Sequence, residues 1–179
     1  MARTIGRMST IRKLAAEHAE AYVALRRAML AEAPTAFLAS EASDIGCDLE
    51  QMRGKLGGDD DNVVYGAFAG GTLVGVVGIL RFLRHAKAAH RADIWGMYVD
   101  PAARGQGLGR GLVEAAVAHA RTNMAGVLQV HLGVVETQAP ARALYEACGF
   151  QAWGVEPGAV RVDGRLYDET HMVLPLAVR

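Results

Sequence analysis

The stretch that most limits what this chain can become is Arg104-Gly105-Gln106-Gly107-Leu108-Gly109, set between an apolar run and an amphipathic one. Ahead of it, Ile94, Trp95, Met97, Tyr98 and Val99 supply the β-branched and aromatic side chains of a strand. Asp100-Pro101 stops that strand, because proline has no N–H for the ladder and restrains the residue before it. Behind the turn, Leu108, Leu112, Ala115, Ala116, Val117 and Ala120 recur at helical spacing. Glycines let backbone N–H groups converge and accept positive φ. The first four N–H groups of a helix lack internal partners, and the helix dipole is positive at that end. Strand, glycine turn and helix in this order therefore make a seat for a phosphate or pyrophosphate. Arg104 and Arg110 flank it with guanidinium charge suited to phosphate oxygens.

Two common phosphate patterns are excluded. No Lys-Ser or Lys-Thr follows these glycines, so the Walker loop is absent. The dinucleotide fingerprint fails because Arg110 and Leu112 stand where its third glycine belongs. Taken alone, the hexapeptide also fits a tight loop entering a helix, with glycines chosen for geometry.

The bounds set by composition are broad. A length of 179 residues suits one domain over 1–179, with 1–7 as a loose tail. With 19 basic against 19 acidic residues there is no net field to favour nucleic acid or an anionic membrane. The first residues lack an apolar leader segment, and the longest apolar stretch, Leu73 to Leu80, is too short to span a bilayer. Cys47 and Cys148 have neither metal spacing nor a disulfide framework, which fits reduced thiols in a cytoplasmic protein.

Taken in order, Met8 to Leu14 reads as a first strand and Ala15 to Glu32 as a helix ended by Pro34. A loop over Ala36–Ser43 precedes a second helix from about Asp44 to Leu56. The acidic Gly57–Asn62 run is a solvated turn without the spacing of a calcium loop. Asn62–Ala69 and Thr72–Leu83, joined by Gly70-Gly71, form a hairpin. His85 and His90 lie in a basic loop with no third ligand in view, so no metal is expected. Val127–Val135 is a strand parallel to the one before the glycine turn, since a helix separates them. His131 reads there as a core or slot histidine. A helix follows over Pro140–Ala147, with Gly149 at its C-terminal end, then strands over Phe150–Val155 and Arg165–Leu174. The sum is a mixed α+β sheet with helices on both faces.

The hexapeptide fits [RQ]xxGx[GA], and the later segment Ala143-Leu144-Tyr145-Glu146-Ala147-Cys148-Gly149-Phe150 is similar to ALYExxGF. In these two motifs, found in the same order, the sequence resembles the GCN5-related N-acetyltransferases (GNAT), in particular small bacterial-type members. Glu32-Ala33-Pro34-Thr35-Ala36-Phe37 is a weaker likeness to the same group. The resemblance covers about Met8 to Pro175 and implies a central mixed, mostly antiparallel sheet of about seven strands. In it the fourth and fifth strands form a splayed parallel pair. It also implies acetyl-CoA as co-substrate, a primary amine on a small molecule or peptide as acceptor, and pairing of two copies as a common state.

The same resemblance assigns roles. Arg104, Gly105, Gln106, Gly107, Leu108, Gly109 and Arg110 would take the pyrophosphate, and the backbone of Met97, Tyr98 and Val99 the pantetheine. The N–H of Met97 would meet the thioester oxygen. Gln138 stands where relatives often carry asparagine, with the same amide one methylene further out. Tyr145 would be the general acid that protonates the leaving thiolate. For the base, Asp93 lies four residues before Met97, on the same face by a period of two, and Glu41 is the rival, with Glu136 third. The implied activity is acetyl transfer by direct attack in a ternary complex. A non-catalytic acyl-CoA-binding or sensor module of the same fold would keep the glycine turn and differ at Tyr145 and the base. Gly111, inside the helix, costs about 1 kcal/mol against alanine, which a close approach to sheet or cofactor would explain.

Overall fold

In the computed structural model, which describes residues 9–176, the alternation of strand and helix signals becomes one seven-stranded sheet. In chain order the elements are β1 (Ser9–Lys13), α1 (Ala19–Glu32), α2 (Leu49–Lys55), β2 (Asn62–Ala69), β3 (Thr72–Arg81), β4 (Arg91–Val99), α3 (Leu108–Asn123), β5 (Gln129–Val135), α4 (Ala139–Ala147), β6 (Gln151–Val162) and β7 (Arg165–Pro175). Spatially the strands run β1-β2-β3-β4-β5-β7-β6. Among the described residues β4 and β5 form the one parallel pair. The expected tail and Met8 lie outside the described residues. No helix among those described is long and apolar enough to cross a membrane.

Each sheet face buries its own core. Leu108, Leu112, Val113, Ala116, Val117 and Ala120 of α3 pack on Val63, Ala67, Val77, Ile79 and Ile94, and Tyr145 of α4 joins them. On the other face Tyr22, Val23, Leu25, Met29 and Leu30 of α1 cover Val64, Phe68, Leu73 and Val76. Each fully buried aliphatic side chain contributes about 1.5–3 kcal/mol of transfer free energy, so these stripes hold the helices to the sheet. Gly111 has its reason here: a Cβ would overlap Ile11 Cδ1 of β1, so the missing side chain lets α3 lie close to the sheet.

Several boundaries differ from the sequence reading. The second helix is split, because Asp44 caps Gly46 N (2.7 Å) and Asp48 caps Gln51 N (3.0 Å), so two starts replace one. The first helix begins later, at Ala19, since His18 Nδ1 accepts the Ala15 N–H (3.0 Å) and holds a 3-10 turn before it. β4 begins at Arg91 rather than Ile94. β6 runs on to Val162 instead of ending at Val155. The Pro157-Gly158 pair is absorbed in a register shift between Glu156 and Val160, and Asp168 Oδ1 accepts the Gly158 N–H (2.8 Å).

Opposite the two-residue step from Gly78 to Val76 on β3, β4 advances three residues, from Trp95 to Tyr98, and Gly96 sits at φ +58. This β-bulge reverses the alternation. Met97 and Val99 pack into the core under α3, while Trp95 and Tyr98 belong to the core under α1. Asp93, two residues before Trp95, is therefore on the face opposite Met97, not the same one.

The Trp95 ring lies directly on Gly78, with Cδ2 and Cζ2 2.5 Å from where a Cβ would stand. Strand propensity favours alanine over glycine, yet here an alanine must displace an indole. Gly78→Ala is expected to destabilise by about 1–3 kcal/mol. The check is the melting temperature, which should fall by about 2–10 °C.

Candidate active site

The turn after β4 is built from local rules. Asp100 accepts the Ala102 N–H (2.8 Å) and starts a 3-10 turn over Pro101–Ala103, which delivers the chain to Arg104. Gly105 (φ 76) and Gly107 (φ 78) are both left-handed, a region glycine enters without strain. Among the described residues, chain neighbours apart, no atom lies within 4 Å of the Cβ position of either, so the turn is open above. Gly107 is the N-cap of α3, and the helical ladder begins with Gly111 N to Gly107 O (3.1 Å). The N–H groups of Leu108, Gly109 and Arg110 precede that ladder and are left for an external acceptor. At Gly109 a Cβ would come 3.0 Å from Leu144 Cδ2 and 3.1 Å from Met97 Cε, so this glycine lets the helix start lie against β4 and α4.

Beside the turn the sheet opens. β4 and β5 pair only at Arg91–Gln129, Ala92–Val130 and Asp93–His131. Beyond these, β4 stays bonded to β3 and β5 to β7, and their facing edges part. A cavity of about 720 Å³ fills the gap and reaches the glycine turn. The loop after α1 closes over it, with Thr35 Oγ1 3.0 Å from Thr137 Oγ1 at the start of α4. Ala33 through Phe37 line the cavity, as do Gly133, Val134 and Val135 of β5.

The structure brings most of the sequence candidates to this one place. Met97, Tyr98, Val99, Arg104, Gly105, Gly107, Leu108, Gly109, Arg110, Gln138 and Tyr145 all line the cavity. Gln106 lies between lining residues without being one. Arg104 folds back, its Nε donating to Val99 O (2.9 Å) and Nη2 to Glu32 Oε2 (3.1 Å), so it buttresses the strand–turn junction. Arg110 is half exposed and pairs with Glu114 at 3.5 Å, an exposed pair that is weakly held. Tyr145 is buried against the edge of Phe150, and burial pushes its phenol well above the usual value.

The carboxylates proposed as bases are elsewhere. Glu41 pairs with Arg27 Nε (3.4 Å) in a shallow surface pocket with Asp44 and Asp48. Asp93 and Glu136 do not line the cavity. Burial pushes the Asp93 carboxyl up, with Arg91 opposing.

Sequence reading missed two supports. Arg26 of α1 is buried and hydrogen-bonded to Asp44 (Nε to Oδ2, 2.7 Å), and its Nη1 stands 3.2 Å from the Cβ position of Gly96, directly behind the bulge. Glu32 holds Arg104. Neither carries a local signal, because each partner is distant in sequence.

The sequence profile of the acetyltransferase (GNAT) family matches residues 16–150, a span containing the bulge, the glycine turn, the splay and Tyr145. The chain belongs to the GNAT acetyltransferase family. Among GNAT relatives, the N-alpha-acetyltransferase RimI of Mycobacterium tuberculosis is 40% identical over 103 residues, covering 58% of this chain and 61% of that protein. A mycothiol acetyltransferase of Thermobispora bispora is 44% identical over 64 residues, covering 36% of this chain and 21% of that protein. The chain thus spans less than two thirds of the length of either relative. Among solved GNAT-fold structures, yncA from Salmonella typhimurium, described with its cofactor acetyl-CoA, superposes with a TM-score of 0.81 at 20% identity, covering 96% of this chain and 95% of that one. At that identity the likeness is one of fold.

Proposed function

We propose that this protein transfers an acetyl group from acetyl-CoA to a primary amine, by direct attack while both are bound. The observation that carries this reading is the meeting, in one cavity, of the parted β4–β5 edges with the open amide end of α3. Extended edges suit the amides of a pantetheine arm, and helix-start amides suit a diphosphate. The N–H of Met97, beside the bulge, is the donor for the thioester oxygen. A fixed donor of this type is worth about 3–4 kcal/mol as charge develops on that oxygen. Tyr145 hands its proton to the departing thiolate. The burial that raises the phenol raises a thiolate in the same cavity too, which keeps the transfer close to balanced.

The test is thermal denaturation with and without acetyl-CoA. A ligand at a hundred times its dissociation constant stabilises by about 2.7 kcal/mol. The melting temperature should therefore rise by about 5–10 °C. No shift overturns the proposal, and a shift without CoA release from any amine leaves an acyl-CoA-binding module.

A further inference from the structure

The transfer just proposed needs a group to take the acceptor's proton, and neither Glu41 nor Asp93 reaches the cavity. Glu169 does not line the cavity either, but its carboxylate lies directly against Gly133, which does. Along β5, Val130, Leu132 and Val134 face the core under α3, while His131, Gly133 and Val135 face the other side. Gly133 lines the cavity two residues beyond the last β4–β5 pair. A Cβ on Gly133 would stand 2.5 Å from Cδ and Oε1 of Glu169 and 2.8 Å from Oε2. The Glu169 carboxylate, reaching over from β7, thus lies on the backbone of β5 and fills the space of the missing side chain. Glycine at 133 is what lets it sit there.

We propose that Glu169 is the base that accepts the acceptor amine's proton, and that Glu156, His171 and Trp153 form the wall receiving that amine. Ligand atoms of Glu156, Glu169 and His171 lie within 4.8 Å of one another. His171 Nε2 donates to Glu156 Oε2 (3.1 Å), and Trp153 stacks on the His171 ring (5.4 Å, 27°) while staying 60% exposed. Two carboxylates beside an open indole face attract an ammonium group, by charge and by cation–π contact. An amine of pKa near 10.4 arrives in that form at neutral pH. The groups facing this place are Glu156 and Trp153 on β6, Glu169 and His171 on β7, His131 on β5, and Asp93 and Arg91 on β4. Burial and Glu156 push the Glu169 carboxyl up, with His171 opposing, which makes it a stronger base than a solvated glutamate.

Glu169 and Tyr145 lie on opposite faces of the sheet, with the splay between them. The acceptor arrives as an ammonium R–NH3+. Glu169 takes one proton and passes it to water, and the freed nitrogen bonds to the thioester carbon. The carbon–sulfur bond breaks, and Tyr145 protonates the thiolate and is reprotonated from solvent. The nitrogen's surplus proton leaves through Glu169, giving the amide, CoA–SH and one released proton.

The inference rests on the transferase reading, and one experiment separates the two. Wild type, Glu169→Gln and Gly133→Ala are assayed for CoA release from acetyl-CoA with an alanine-led hexapeptide, a serine-led hexapeptide and spermidine, from pH 6 to 10. Acetyl-CoA binding is followed by thermal shift on the same samples. Glu169→Gln is expected to bind acetyl-CoA like wild type, to lose about 100-fold or more in kcat/KM at pH 7, and to recover toward pH 10 as the amine deprotonates unaided. Gly133→Ala, which removes no polar group but displaces the carboxylate, should fall in the same direction. Wild-type kcat/KM in Glu169→Gln, or a loss equal at every pH, overturns the role of Glu169. Wild type that turns over none of the amines overturns the transferase reading itself.

Discussion

Valine at position 107 is expected to remove acetyl-CoA binding. Gly107 holds φ 78 as the N-cap of α3, and a left-handed backbone costs a residue with a Cβ about 1–2 kcal/mol, more for a branched one. Among the described residues, chain neighbours apart, the added Cβ would meet no atom within 4 Å, so the core is not what suffers. The backbone can relax only by rotating the first amides of α3 away from the cavity they line. An affinity loss of 100-fold or more, about 2.7 kcal/mol, is the expected result. Isothermal titration with acetyl-CoA reads it, and the apo melting temperature should fall by only about 2–8 °C. Wild-type affinity in Gly107→Val would place the diphosphate somewhere other than this turn.

Tyr145→Phe is expected to lower kcat by about 100- to 10,000-fold while leaving acetyl-CoA affinity unchanged. The ring is buried, packed edge-on to Phe150 with centroids 6.0 Å apart at 62°, and phenylalanine preserves that contact. What goes is the proton. Because burial raises the phenol above its usual value near 10, wild-type kcat should show no loss from Tyr145 ionisation up to pH 10. Steady-state kinetics against pH checks both statements. Unimpaired turnover in the variant would mean that the thiolate is protonated by another group or by water.

Some of this site could be read from local chemistry. Gly105 and Gly107 announce positive φ, Pro101 ends a strand, and the apolar stripe from Leu108 starts a helix; each rule acts within a few residues. The same is true of the Gly70-Gly71 hairpin and of α4, with a proline in its first turn. The faces of β4 were not legible. A period of two presumes an unbroken ladder, and the extra residue between Trp95 and Tyr98 exists only against the register of β3. That one shift takes Asp93 to the face opposite Met97. Nor could the sequence show that Arg104, which lines the cavity, also bonds to Glu32 and to Val99 O.

By itself, then, the sequence determined the glycine turn at the start of α3 and the kind of sheet that presents it, because turns, caps and apolar periods are properties of neighbouring residues. Only the tertiary structure decided which carboxylate lies against the parted edge of β5. Glu169 and Gly133 are far apart in the chain and meet because β5 and β7 pair in one register, with a side chain withheld on one strand and supplied by the other. Contacts made across a sheet are fixed by how its strands align, and no window along a single strand contains that alignment.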